Sequence, residues 1–145
     1  MVRRMLEGVE LVKLGVYARL ESRFAREHGG DLAAFLSAAV VNELFSERPG
    51  NARAMEFSRL NRELITRELR ALKRDEEIRR AVTDAVRVKA VLELARGGMS
   101  VPSWVEHLQR LEGLGILIPG GEVPSSEFAL AAARFYESSV GAAER

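Results

Sequence analysis

The chain of 145 residues contains no cysteine. This absence excludes disulfide bonds, zinc–thiolate sites, iron–sulfur clusters and catalysis by a thiol. Histidine is almost as scarce, because only His28 and His107 occur, and neither has the Glu-x-x-His spacing of di-iron bundles. We therefore expect no metal site. We expect the His28 imidazole to meet carbonyl groups at the end of a helix instead.

Motifs of nucleotide-binding proteins and hydrolases are also missing. The sequence has no Gly-x-x-x-x-Gly-Lys loop, no Gly-x-Gly-x-x-Gly fingerprint and no Gly-x-Ser-x-Gly turn. We therefore expect no catalytic residues and no cofactor, which predicts that the protein is not an enzyme. The net charge of +1 argues against non-specific DNA binding by the whole surface.

Long apolar runs are lacking as well. The longest apolar block covers residues 33–41, whereas a helix needs about 20 apolar residues to cross a bilayer. Charged residues at positions 7, 10 and 13 interrupt the N-terminal segment, where a signal peptide would need an unbroken apolar stretch. We therefore expect a cytoplasmic protein without membrane insertion.

The residues that are present indicate helices. Apolar residues recur every three or four positions, and Pro49 is the only proline before residue 102. We predict an all-α fold, a bundle of five to six helices around a central apolar helix at about 31–47. A short β-ribbon near 115–124 is the one candidate for strands. The single domain, residues 1–145, then comprises a long N-terminal helix at 2–27, core helices within 31–96 and a C-terminal helical subregion at 97–140.

Three local features refine this prediction. Gly8 and Gly15 lie one heptad apart in the first helix, which indicates close approach by another helix. Asp75, followed by two glutamates, is typical of a helix start, although one long helix through it is the alternative. A third helix over 52–73 should bury an apolar stripe that includes Leu60.

The first helix carries more apolar residues than one narrow stripe requires. A helix of about 25 residues is roughly 37 Å long, so we expect part of its apolar side to be covered by a partner. This favours a non-catalytic helical interaction or assembly module, which self-associates or binds another protein. The predicted self-association face consists of Val9, Leu11, Val12, Val16 and Leu20.

DNA binding is a second hypothesis. The segment 90–121 places a helix, a turn at Gly97 and Gly98, and a second helix before the candidate ribbon, and it resembles part of a winged helix-turn-helix regulator. The resemblance implies a transcriptional regulator. The segment is poor in basic residues, however, and phosphate contacts need them, so a protein partner is favoured over nucleic acid. The candidate DNA contacts are Arg59, Arg70 and Arg110.

A small-ligand pocket is a third hypothesis. Asn42 and Glu43 interrupt the apolar second helix, and a buried carboxyl group either finds a partner or has its pKa raised. Glu43 is therefore a buried functional acid, the partner of an arginine from the third helix, or a solvent-facing residue at the far end of the second helix. Asn61 and Arg62 complete the candidate pocket.

Overall fold

The computed structural model describes residues 2–120 and 123–144, and in these residues it contains helices and no strand. The prediction of an all-α protein is confirmed. The described residues form seven α-helices, and a 3-10 turn at Leu72–Arg74 joins the fourth to the fifth. The helices are α1 (Val2–His28), α2 (Gly30–Leu44), α3 (Ala52–Leu60), α4 (Arg62–Ala71), α5 (Glu76–Arg96), α6 (Val101–Gly113) and α7 (Ser125–Glu144).

Short polar side chains begin three of these helices. The side chain of Asn51 accepts a hydrogen bond from the amide of Ala54 at 2.9 Å at the start of α3. The Asp75 carboxylate accepts one from the amide of Ile78 at 3.1 Å at the start of α5. The Ser100 hydroxyl does the same for α6. These contacts satisfy amides that the first turn leaves unpaired, and they confirm the predicted break at Asp75.

One predicted helix is two in the structure. The segment 52–73 breaks at Asn61, where the side-chain amide donates to the carbonyl of Phe57 at 2.9 Å. The backbone amide of Asn61 donates to the same carbonyl at 3.0 Å, so this helical hydrogen bond is kept while the backbone angles of Asn61 depart from those of a helix. The break turns Leu60 outward, so the prediction that it is buried is wrong: 65% of it is exposed.

The packing centres on two helices rather than one. The main contacts of α1 are with α2, α5 and α7, whereas those of α2 are with α1, α3 and α4. The apolar side of α2 is buried as expected. The contacts do not, however, single out α2 as the hub of the bundle, since α1 is surrounded by three helices. Large buried side chains of the core include Phe24, Leu36, Leu69, Trp104 and Phe128.

The α1–α7 contact depends on two glycines. The Phe128 ring lies over Gly8, where an added Cβ would be 2.6 Å from its Cε1 atom. The Phe135 ring lies over Gly15 in the same way, with a corresponding distance of 2.8 Å. Each glycine makes room for one aromatic ring, and the predicted close approach is confirmed.

The predicted β-ribbon near 115–124 is wrong for the residues that the structure describes there, while positions 121 and 122 lie outside them. The backbone of this connection binds α5 instead of a second strand. The Ile118 amide donates to the Thr83 hydroxyl at 3.0 Å. The Arg87 guanidinium donates to the carbonyl groups of Ile118 and Gly120, each at 2.6 Å. Prolines at 119 and 124 also lack the amide that a strand ladder requires.

Candidate functional site

The predicted self-association face of α1 is not on the surface. Val9, Val12, Val16 and Leu20 are at most 3% exposed, because α2, α5 and α7 of the same chain cover α1. Leu11 is half-buried. These four buried residues belong to the core, so the expectation that they form an exposed face is corrected.

Glu43 is the centre of an ion-pair network. Its carboxylate accepts hydrogen bonds from Arg62 of α4 at 2.6 Å and from Arg110 of α6 at 3.1 Å. Burial of the Glu43 carboxyl group raises its pKa, but the two guanidinium groups outweigh this, and the pKa lies below its ordinary value. The predicted pairing with an arginine of the third helix is confirmed, since Arg62 lies in the segment 52–73 that was predicted as that helix. The alternative prediction, that Glu43 is a functional acid with a raised pKa, is wrong, because its lowered pKa leaves the carboxyl group ionised at neutral pH.

The structure brings three of the four candidate pocket residues together. Asn42, Glu43 and Arg62 line a groove of about 300 Å³ between the end of α2 and α3, to which Arg59 also contributes. Asn61 lies outside this groove and forms the α3–α4 break. Small-ligand binding at this groove stays a prediction.

The candidate DNA contacts lie on three different helices. Arg59 of α3 pairs with Glu56 at 2.8 Å, and Arg110 of α6 is held by Glu43. Arg70 of α4 is exposed. No strand follows α6 within residues 114–120, so a wing is not seen in this part of the chain. DNA binding stays a prediction.

α6 attaches to the rest of the chain along one side. Trp104 and Leu111 are buried, and Nε2 of His107 lies 2.9 Å from the carbonyl oxygen of Leu44 at the end of α2. Burial lowers the pKa of His107, although the hydrogen bond to Leu44 partly offsets this. The neutral imidazole therefore donates to the carbonyl near neutral pH.

The exposed part of α6 carries apolar and acidic side chains. Val101 and Val105 are one turn apart and exposed, Glu106 follows Val105 directly, and Glu112 lies further along the helix; both glutamates are also exposed. We call these four residues the acidic face.

α3 is the least covered helix among those whose burial is described throughout, because none of its residues is buried. Its contact with α2 includes the Phe57 ring, which stacks on Phe35 at a centroid distance of 5.5 Å. Met55 and Leu60 remain 58% and 65% exposed. Because so little of α3 is buried, it has little tertiary support within this chain. A helix of nine residues is also marginal by itself in water.

Arginines lie next to these two apolar side chains, because Arg59 and Arg62 line one groove with Met55 and another with Leu60. Between residues 52 and 74, all of which are described, seven exposed cations stand against two exposed acids, Glu56 and Glu63. We call the exposed side of α3, α4 and the 3-10 turn the arginine face. Its members are Met55, Leu60, Arg53, Arg59, Arg62, Arg67, Arg70, Lys73 and Arg74.

A cleft of about 410 Å³ lies between α5 and α7. Val12, Phe128 and Phe135 line it, together with charged residues that include Arg134 and Asp84. Burial raises the pKa of the Asp84 carboxyl group, which nearby Arg87 partly counteracts. The volume is within the range of small-molecule pockets. Sequence patterns did not reveal this cleft, since it depends on the spacing of two packed helices.

A polar cluster joins the end of α1 to α4. Glu68 is only 7% exposed although it is charged, and its carboxylate binds Arg23 at 3.1 Å. His28 and Glu27 lie against the same carboxylate. No sequence pattern marks this cluster, because its members come from two helices. The one available signal was the position of Glu68 within the apolar stripe of α4, directly before Leu69.

Among residues 2–120 and 123–144, no helix combines the length and apolar character that a membrane span requires. No protein-family model matches the sequence, and comparison with curated proteins and with solved structures finds no match. Function must therefore be inferred from the geometry of the chain itself.

Proposed function

We propose that this protein is a non-catalytic interaction module whose copies associate, with the arginine face of one copy against the acidic face of another. The observation that carries the proposal is the exposure of α3, of which no residue is buried. Burying one large apolar side chain stabilises a contact by about 1.5–3 kcal/mol, and α3 offers Met55 and Leu60 for this.

The composition of the arginine face favours a protein partner. Methionine and arginine are both enriched in protein–protein interfaces. The apolar side chains of Met55 and Leu60 lie among the arginines on α3, and such a mixture suits a partner surface that combines apolar groups with carboxylates. Nucleic acid would use the cations but would leave these two apolar side chains without an apolar partner.

The acidic face supplies the complementary surface within the same sequence. In the proposed contact, the exposed valines Val101 and Val105 pack against the apolar side chains of the arginine face. Glu106 and Glu112 pair with its cations. The two faces differ from each other, so the contact is heterologous and joins copies head to tail. Such a contact extends beyond a dimer unless the geometry closes a ring.

The mass in solution, measured by sedimentation equilibrium over a range of concentrations, tests the proposal. The monomer has a mass of 16.1 kDa, and we expect the average mass to rise with protein concentration and to fall with added salt, which screens the charges. Leu60→Glu should shift the equilibrium towards monomer. Leu130→Glu on α7 is the matched control, because Leu130 is comparably exposed but lies outside both faces.

The alternatives give different results. A monomer at every concentration, or an equal effect of Leu60→Glu and Leu130→Glu, would contradict self-association at these faces. A monomer that shifts a labelled oligonucleotide in a salt-dependent manner would instead favour nucleic acid as the partner of the arginine face. Charge reversal at Glu106 should weaken association of the copies, whereas it should leave nucleic-acid binding intact.

A further inference from the structure

We propose that Glu27, His28 and Glu68 bind a divalent metal ion of the first transition row, with zinc as the best fit. One ligand atom from each residue lies within 4.8 Å of the other two. Imidazole and carboxylate groups together are ordinary ligands of zinc. The ion would link the C-terminal end of α1 to α4.

The two separations that involve the imidazole suit a tetrahedral site. Nε2 of His28 lies 3.5 Å from Oε1 of Glu68 and 3.8 Å from Oε2 of Glu27. Zinc bonds to nitrogen and oxygen are about 2.0–2.2 Å long, so neighbouring ligands of a tetrahedral zinc ion are about 3.4 Å apart. The two distances from Nε2 are thus close to tetrahedral edges. The two carboxylate oxygens lie within 4.8 Å of each other, and the exposed Glu27 side chain is free to rotate towards the shorter edge.

The imidazole is oriented for a ligand. Nε2 of His28 is shielded from solvent and has no hydrogen-bond partner among the described residues. Buried polar atoms usually have such a partner, and a metal ion would satisfy this one. The ring of Phe24 lies 5.8 Å from the imidazole, centroid to centroid, and restricts its movement.

The buried carboxylate is held in place by an arginine. Arg23 binds Oε2 of Glu68 at 3.1 Å, which leaves Oε1 facing His28. Metal-ligating carboxylates are commonly hydrogen-bonded by residues outside the first coordination sphere, and those residues orient them. Arg23 would serve this purpose here.

One guanidinium group competes with a metal ion for Oε1 of Glu68. The Arg67 guanidinium lies 3.8 Å from Oε1 of Glu68, but its side chain is 68% exposed and can move into solvent. An open groove lined by Glu27 and Glu68 gives access from solvent and room for a water ligand.

Titration calorimetry of the full chain with zinc chloride, after removal of metal by a chelator, tests this inference. We expect one zinc ion per chain and a rise in melting temperature with zinc concentration. His28→Gln and Glu27→Gln should each lower the affinity by at least about tenfold, the lower limit typical even for loss of an outer-shell group. Neither substitution removes a core side chain.

His107→Gln is the matched control, because His107 is the other histidine of the chain and lies on α6. This variant should bind zinc as the parent does. Cobalt(II) gives a second readout, since a tetrahedral site intensifies its visible absorption. The inference is overturned if zinc does not bind, if binding survives both His28→Gln and Glu27→Gln, or if His107→Gln lowers the affinity to the same extent.

Discussion

Replacement of Gly8 by alanine should destabilise the protein, although alanine is the better helix former. The added Cβ would lie 2.6 Å from Cε1 and 3.1 Å from Cδ1 of Phe128. The Phe128 ring is 1% exposed, so it cannot move away from an added Cβ without disturbing its other core contacts, although it also lines the cleft between α5 and α7. Overfilling such a site costs about 1–3 kcal/mol, whereas the change from glycine to alanine gains about 1 kcal/mol of helix propensity. We therefore expect a net loss of about 0–2 kcal/mol in the free energy of unfolding.

A control variant separates the two contributions. Gly141 lies in α7 with no atom within 4 Å of the position that a Cβ would take. Gly141→Ala should therefore be stabilising by about 0.5–1 kcal/mol. Gly15→Ala should fall between the two, because its neighbour Phe135 is only half-buried and its ring can move towards solvent.

Urea denaturation of the parent and the three variants measures these differences. The expected gap between Gly8→Ala and Gly141→Ala is about 1–3 kcal/mol, the cost of the steric overlap alone. A double-mutant cycle with Phe128→Leu should show coupling between positions 8 and 128 of more than about 0.5 kcal/mol. If Gly8→Ala stabilises the protein as much as Gly141→Ala does, the Phe128 ring does not lie on Gly8 and the described α1–α7 packing is refuted.

Three further predictions concern the contacts that hold α5 and α6. The pKa of His107 is lowered by burial from its usual 6.5, so the unfolded chain binds the proton more tightly. The free energy of unfolding should therefore fall as the pH drops through about 6.5. Urea denaturation at neutral and acid pH should show a smaller fall for His107→Gln. An equal fall in the variant and the parent would contradict the burial of a neutral His107. Arg87→Met should lower the free energy of unfolding by about 1–3 kcal/mol and speed proteolysis of the α6–α7 connection, whereas resistance equal to the parent's would show that Arg87 does not anchor it. Asp75→Ala should cost about 0.5–2 kcal/mol, and a loss no larger than that of an exposed mid-helix substitution would argue against the cap.

Features governed by nearby residues could be predicted from the sequence. The Asp75 cap depends on an amide only three residues away, and its chemistry is visible in the local pattern. The role of Gly8 and Gly15 was predictable because a glycine inside a helix lowers its stability, and close packing by another helix is the usual compensation. The identity of the rings that pack there, Phe128 and Phe135, needed the tertiary structure.

Features governed by distant residues could not be predicted. The periodicity of α1 correctly marks Val12 and Val16 as one apolar side, but periodicity does not reveal whether the same chain or a partner covers that side. The break at Asn61 is confined to one residue, whose side-chain amide adds a second hydrogen bond to the Phe57 carbonyl, and the apolar period is helical on both sides of it. As a result, Leu60 was expected inside and lies outside.

The candidate site shows the same division. Pairing of Glu43 with an arginine was one of three alternatives from the sequence, and the close approach of Arg62 and Arg110 decided among them. No sequence motif marks the cluster of Glu27, His28 and Glu68, because the fold alone brings Glu68 of α4 next to the end of α1.

Hydrogen exchange of the α3 amides in dilute and in concentrated protein tests the central claim most directly, namely that a second copy covers α3. An uncovered short helix opens readily, so its amides should exchange quickly in dilute protein. In concentrated protein we expect slower exchange at residues 52–60 and at residues 101–113, with exchange in the core of α5 unchanged. Equally rapid exchange of α3 at both concentrations would contradict the account.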